Sequence, residues 1–291
     1  MGSGGPPLGP WRFHLAITAL LLPLAGLGIA GWRGVRVIPA HWVAHAVVLL
    51  PMVGLAWVIK GRVPRVAAAL VAGAWVIAAG AASSPVSYAA VRTGPLWDRR
   101  LAAWDLGMGG PWPGPWATVY DLLAPLSVLA VLLVPGLGDL RRARVMVAAY
   151  AASFWLALPL MIAGAAEGPW AVSGAVPSTT QAAYVEVFRR LRAPGAFRFD
   201  TAEILGVVTF PSYHALLAVL AGVALARVRG VGPIAVALAT GIVLATVGTG
   251  WHYLADTVVG VGLGFLAIGV GEAGERWGWG RGRSLRQSRG P

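Results

Sequence analysis

The chain has 291 residues, 57% of them hydrophobic and only 12% charged, with a mean hydropathy of +0.72. Soluble domains run at about 45–50% apolar and roughly 25% charged, so a soluble enzyme, a disordered chain and a nucleic-acid-binding module give way to a polytopic membrane protein. The net charge of +12 then reads as topology and attraction to anionic headgroups, and the absence of cysteine removes disulfides and thiolate metal sites.

In chain order, eight stretches are apolar and long enough to cross the hydrocarbon core, which takes about 20 residues. They are 13–32, 40–59, 66–87, 117–135, 145–165, 211–227, 232–250 and 252–271. The expected fold is an all-α polytopic membrane helix bundle of about eight spans. Residues 1–65 supply two N-terminal transmembrane helices, 66–272 a six-helix core, and 273–291 a basic, disordered tail. The first stretch is longer than an apolar signal core and has no clean small-x-small cleavage site, so it is expected to be retained. Glycine falls inside the spans, and Gly260–Gly264 forms a GxxxG pair suited to close helix approach.

Lysine and arginine counting sets the orientation. With eight spans, one side receives 14 of the 23 cations, among them Lys60, Arg62, Arg65, Arg141, Arg142, Arg144 and the tail arginines. The other side receives nine, mostly in the longer connections 88–116 and 166–210. Both termini are therefore expected to be cytoplasmic, in a multi-pass protein of the cell membrane. The 14 tryptophans fit boundary anchors.

Ionisable residues near membrane depth are costly and carry a functional hypothesis by default. His214 lies in Phe210–Ala215 (FPSYHA), and His252 and Asp256 lie in Gly250–Asp256 (GWHYLAD). Span six starts at the first phrase, span seven returns, and span eight starts at the second, so both histidines fall on one face of the membrane. His252 and Asp256 stand one helical turn apart. A carboxylate beside an imidazole orients the ring and stabilises its charged form. Pro211 suits a first helical turn, and Ser212 with the adjoining backbone N–H groups suits an anion such as phosphate. His214 is placed to donate a proton to a leaving oxygen. The ordinary alternative is a pair of interfacial histidines satisfied by lipid or backbone.

Pro211-Ser212-Tyr213-His214 followed by His252-x-x-x-Asp256 resembles the phosphatidic-acid-phosphatase type 2 superfamily, whose signature is KxxxxxxRP, then PSGH, then SRxxxxxHxxxD. The flanking phrases LRAPGAF, GVVTFPSYHA and TGWHYLADTVVG are most similar to the inositol phosphorylceramide synthase-like branch and its bacterial relatives. The chain departs from the signature in three ways. Thr246 stands where the third block has Arg, Tyr213 replaces the Gly of the second, and KxxxxxxRP is absent. The resemblance implies a six-helix phosphatase-like core in which His252 attacks phosphorus to form a phosphohistidine. It further implies that Asp256 orients His252, that His214 protonates the leaving alcohol, and that Ser212 with arginines binds the phosphoryl oxygens. With the motif cations missing, Arg192 and then Arg198 are the candidate phosphate clamps, since a guanidinium fits phosphate bidentately. The implied partners are a lipid phosphate substrate and membrane lipids, with no nucleic acid. The scheme needs no metal and no other cofactor. The alternative class is a non-catalytic transporter or scaffold.

Three further features take a bland reading. His41 and His45 are spaced to share a metal but lack a third ligand, and an interfacial belt with Trp42 explains them as well. Asp98, Asp105 and Asp121 are taken as structural. Glu167-Gly168-Pro169-Trp170 closes span five without a derived role.

Overall fold

The computed structural model describes residues 31, 33–105, 107–108, 110–175, 178–200 and 206–287, with backbone alone from 277. A short strand β1 (Val35–Val37) leads into α1 (Pro39–Ile59) and α2 (Pro64–Thr93). Then follow α3 (Asp98–Trp104), α4 (Trp116–Asp121), α5 (Leu123–Gly136), α6 (Leu140–Ala163) and α7 (Trp170–Ser173). The chain continues through α8 (Thr179–Arg192), β2 (Phe197–Phe199), α9 (Tyr213–Leu225), α10 (Gly232–Gly248) and α11 (Leu254–Gln287). The architecture is the expected all-α polytopic bundle. Its only sheet among the described residues is the parallel pair β1–β2, with Arg36 opposite Arg198.

Five helical stretches are long and apolar enough to cross a membrane: Pro39–Ile59, Pro64–Thr93, Trp116–Gly136, Leu140–Ala163 and Leu254–Arg276. They correspond to expected spans two, three, four, five and eight. Spans six and seven are shorter apolar helices, α9 and α10. A 13-residue helix rises about 20 Å, less than the roughly 30 Å of hydrocarbon, so α9 needs its non-helical flanks to complete a crossing. The first expected span lies outside the described residues. The helix α11 runs on to Gln287, through most of the stretch expected to be a disordered tail.

Local chemistry explains where the helices start. Proline occupies the first turn of α1, α2 and α10, where its missing N–H costs nothing. Asp139 caps α6 by accepting the Arg142 N–H at 2.9 Å. Ser212 caps α9 by accepting the Ala215 N–H at 3.3 Å. Prolines lie inside α1, α2 and α6; in α2 Pro85 frees the Ala81 carbonyl, which His41 Nε2 of α1 meets at 2.9 Å.

The helix α2 is central, with a buried run of alanines packed on α5 and α6. By contrast α1 buries only His41 and Ala56 among its residues and leaves Val47 and Leu50 exposed, at 66% and 71%, as lipid-facing residues are. The glycine pair on α11 works as a packing face against α9. A Cβ on Gly260 would meet the Ser212 carbonyl oxygen at 2.2 Å, and one on Gly264 would meet Val219 at 2.9 Å. These two glycines let α11 lie directly on the start of α9, which brings the two histidine phrases together.

Candidate active site

His252 sits in the turn just before α11 and His214 in the first turn of α9, with ring centroids 6.2 Å apart. Counting spans placed them on one face, and the bundle closes that face into one site. Both line a cavity of about 320 Å³.

Two acceptors hold His252. Its Nδ1 lies 3.0 Å from the carbonyl oxygen of Thr209 and 3.2 Å from Oδ2 of Asp256. A carbonyl oxygen cannot donate, so Nδ1 carries the hydrogen. In the neutral ring that leaves the lone pair on Nε2. The backbone fixes the turn as well: the His252 N–H donates to the Thr246 carbonyl at 3.1 Å, and the Ser212 N–H to the Asp256 carbonyl at 3.1 Å. Asp256 is fully buried, one turn along α11.

His214 is stacked on Tyr120 of α4, with centroids 4.2 Å apart and planes 17° apart. Tyr120 also lies parallel to Trp251. The ring is therefore held flat against an aromatic wall beside His252. Tyr213, in place of the signature glycine, pairs with Ser153 of α6 at 2.9 Å and lines the cavity.

Ser212 is buried as the cap of α9, its hydroxyl oxygen turned to the Ala215 N–H. The start of that helix faces the cavity through Tyr213 and His214, and helix N-termini favour anions. The opposite wall is α2, which presents Ser83, Ser84 and Ser87. Each of these hydroxyls donates to a carbonyl of its own helix. No lysine, arginine, aspartate or glutamate is among the described residues that line the cavity.

The two expected arginine clamps stand elsewhere. Arg192 donates to the carbonyls of Val91 and, at 2.8 Å, Gly94, and lies over the Phe188 ring. It closes the open C-terminus of α2, where carbonyls lack helical partners. Arg198 is exposed on β2, 3.6 Å from Asp200. Neither lines the histidine cavity. Thr246, at the signature's arginine position, is fully buried and paired with Thr257 at 2.8 Å. It stitches α10 to α11.

Several further groups support the site from outside the two histidine phrases. The Thr209 hydroxyl pairs with Tyr184 of α8 at 3.1 Å, and burial pushes the Tyr184 phenol above its ordinary pKa, so it stays protonated. Gln181 of α8 donates to the Thr249 carbonyl at 3.2 Å. Asp98 accepts from the Glu167 and Gly168 N–H groups and from the Tyr253 hydroxyl, at 3.1, 2.9 and 3.1 Å. Asp105 accepts the Leu254 N–H at the start of α11. These two carboxylates are structural, as expected, and Asp98 gives the Glu167–Trp170 turn its role as an anchor for the His252 turn. Asp121 ends α4 on the exposed side.

Behind the α2 wall of the cavity His41 is buried, its Nε2 2.9 Å from the Ala81 carbonyl, and His45 Nδ1 lies 2.7 Å from the His41 carbonyl. Among the described residues no group of three or more His, Cys, Asp or Glu could hold a metal. Comparison with known proteins gives one result: a family model described as PAP2 superfamily matches residues 112–270. Among curated proteins and among solved structures nothing matches.

Proposed function

The chain belongs to the PAP2 superfamily, and on that premise we propose that it is an integral-membrane phosphatase or phosphotransferase whose substrate is a lipid phosphate of phospholipid, isoprenoid or sphingolipid type. Superfamily membership itself supports a phosphoesterase-type activity. The matched stretch covers both histidine phrases.

The observation that carries the mechanism is the hydrogen-bonding of His252. With Nδ1–H committed to Thr209 and Asp256, Nε2 is the nucleophile. It attacks phosphorus, the bond to the leaving oxygen breaks, and a phosphohistidine forms. Asp256 stabilises the charge that appears on the ring. His214, across the cavity, gives its proton to the leaving oxygen and then takes one from the acceptor hydroxyl. The phosphoryl oxygens face the start of α9, where the backbone N–H groups of the first turn supply positive potential; Ser212 holds that turn as its cap and does not itself line the cavity. Arg192 closes the end of α2 and Arg198 is exposed on β2, so neither enters this scheme. No step calls for a metal.

The six helices α2, α4–α5, α6, α9, α10 and α11 form the catalytic unit within 66–272, and α1 is an addition to it. The site faces the extracytoplasmic side, with both termini cytoplasmic, on the strength of the lysine and arginine distribution. The flanking phrases support a place beside the inositol phosphorylceramide synthase-like branch. The test is direct. Purified protein in detergent or nanodiscs is given a lipid phosphomonoester alone, and a phospholipid donor with a hydroxyl acceptor. Free phosphate identifies a hydrolase and a new phosphodiester a transferase, each persisting in EDTA. Neither product from correctly inserted protein overturns the reading.

A further inference from the structure

Deeper in the bundle than the histidines lies a second cavity of about 240 Å³, between α1, α2, α5, α6 and α9, lined almost wholly by apolar atoms. The two cavities share Leu217. That residue stands one turn below His214 on α9, and Leu220 and Ala221, which wall the second cavity, stand about 10 Å below it at 1.5 Å per residue. The opposing helix runs in the same order. On α2 the serines face the histidine cavity, and Gly73, about ten residues deeper, faces the apolar one.

The apolar cavity opens sideways. Val128 and Leu132 of α5 line it and are 57% and 51% exposed, on a surface that a membrane would cover with hydrocarbon. Its width is set at Gly73. A Cβ there would stand 3.0 Å from the Met52 methyl and 3.6 Å from Val131, so any larger side chain intrudes on the space.

We propose that this cavity is a lateral slot for a hydrocarbon chain of the lipid phosphate. The chain enters between α1 and α5 and passes Leu217, so that the phosphoryl group reaches His252. The assignment rests on reading the histidine cavity as a lipid-phosphate site. Its own support is the adjacency of an apolar space and a polar one across a shared wall residue, Leu217. A chain placed there buries apolar surface without stripping any polar group of its partner. Gly73 becomes the residue that decides how thick a chain can enter.

Two measurements test the slot separately from the chemistry. The first compares Gly73→Leu and Val131→Phe with the unchanged protein, using a long-chain lipid phosphate and a water-soluble short-chain phosphate ester. Thermal unfolding in detergent confirms that each variant is folded. The ratio of long-chain to short-chain turnover is expected to fall roughly tenfold, the equivalent of about two buried methylenes. An unchanged ratio in both folded variants overturns the slot while leaving the phosphoryl chemistry standing. The second needs no turnover: a lipid phosphate with a diazirine at its chain end is photolysed on the protein, and the labelled peptides are mapped. Label on α2 and α5 residues that line the slot, lost in Gly73→Leu, supports the proposal. Label confined to the outer face of α1, unaffected by the variant, contradicts it.

Discussion

The cavity at the histidine end of the bundle has no lysine, arginine, aspartate or glutamate on its described lining, whereas the opposite end is tied by buried and half-buried ion pairs. At the first, His252 is bound by a backbone carbonyl and Asp256, and around it stand Thr209, Tyr184 and the α2 serines. At the second, Arg144 and Glu275 form a buried pair between α6 and α11, Arg141 pairs with Glu272 one turn away, and Arg142 pairs with Asp139. At both ends charge serves architecture, but Asp98 and Asp105 stand outside the lining of the cavity. The proposed reacting end keeps its cavity free of fixed charge, so the groups that change charge during phosphoryl transfer are the histidines. The same economy that makes an isolated charge costly in lipid makes a developing one there responsive to a well-placed carboxylate or helix end.

Substitutions at the two ends should separate along that line. The largest loss belongs to His252→Ala, which removes the proposed nucleophile and should lower turnover by roughly 10⁵–10⁶-fold. His214→Ala should cost about 10²–10⁴-fold as the general acid is lost. Both are read as turnover per correctly inserted molecule. Next is Asp256→Asn, which keeps size but presents an amide to Nδ1; a loss on the order of 10²–10⁴-fold is expected, and near-normal rates would remove Asp256 from the chemistry.

A smaller effect is expected from Gly260→Ala. The new methyl would collide with the Ser212 carbonyl, costing about 1–3 kcal/mol of stability and shifting the start of α9, visible as a lower melting temperature together with reduced turnover. Smaller again is Tyr184→Phe, which removes one hydroxyl from Thr209. About 1 kcal/mol of ordering is lost, so turnover should fall by less than about tenfold.

The opposite end should show no loss of turnover per folded molecule. Arg144→Met alone leaves Glu275 without its arginine partner and should destabilise the protein by roughly 3–5 kcal/mol, with much of that regained in the double substitution Arg144→Met, Glu275→Leu. A selective loss of turnover in the stable double variant would break the contrast between the two ends.

How much of this was legible in the sequence follows the range of the interactions. Five of the eight expected spans were readable because each is a run of consecutive apolar residues, and the nearness of His214 and His252 was readable because two apolar helices, α9 and α10, run out and back between them. The His252–Asp256 pair was readable from local spacing. The start of helix α8 also has a local signal: Ser178-x-x-Gln181 is a capping box, with both hydrogen bonds formed. Other parts had no local signature. Thr209 acts on His252 through a carbonyl that every residue possesses. Arg192 precedes span six in the sequence, but its guanidinium reaches the end of α2, about a hundred residues earlier in the chain. The Thr246–Thr257 and Asp98–Tyr253 pairs belong to the same class, in which tertiary packing decides what a side chain meets.

The central claim is that His252 carries the phosphoryl group, and trapping that intermediate tests it most directly. Protein in nanodiscs is mixed with a lipid phosphate carrying radiolabelled phosphorus, quenched within the first turnovers, and digested for peptide mapping. The account predicts an acid-labile, alkali-stable label on the peptide containing His252, absent from His252→Ala. Turnover by the unchanged protein with no such label, or a label that persists in His252→Ala, would contradict it.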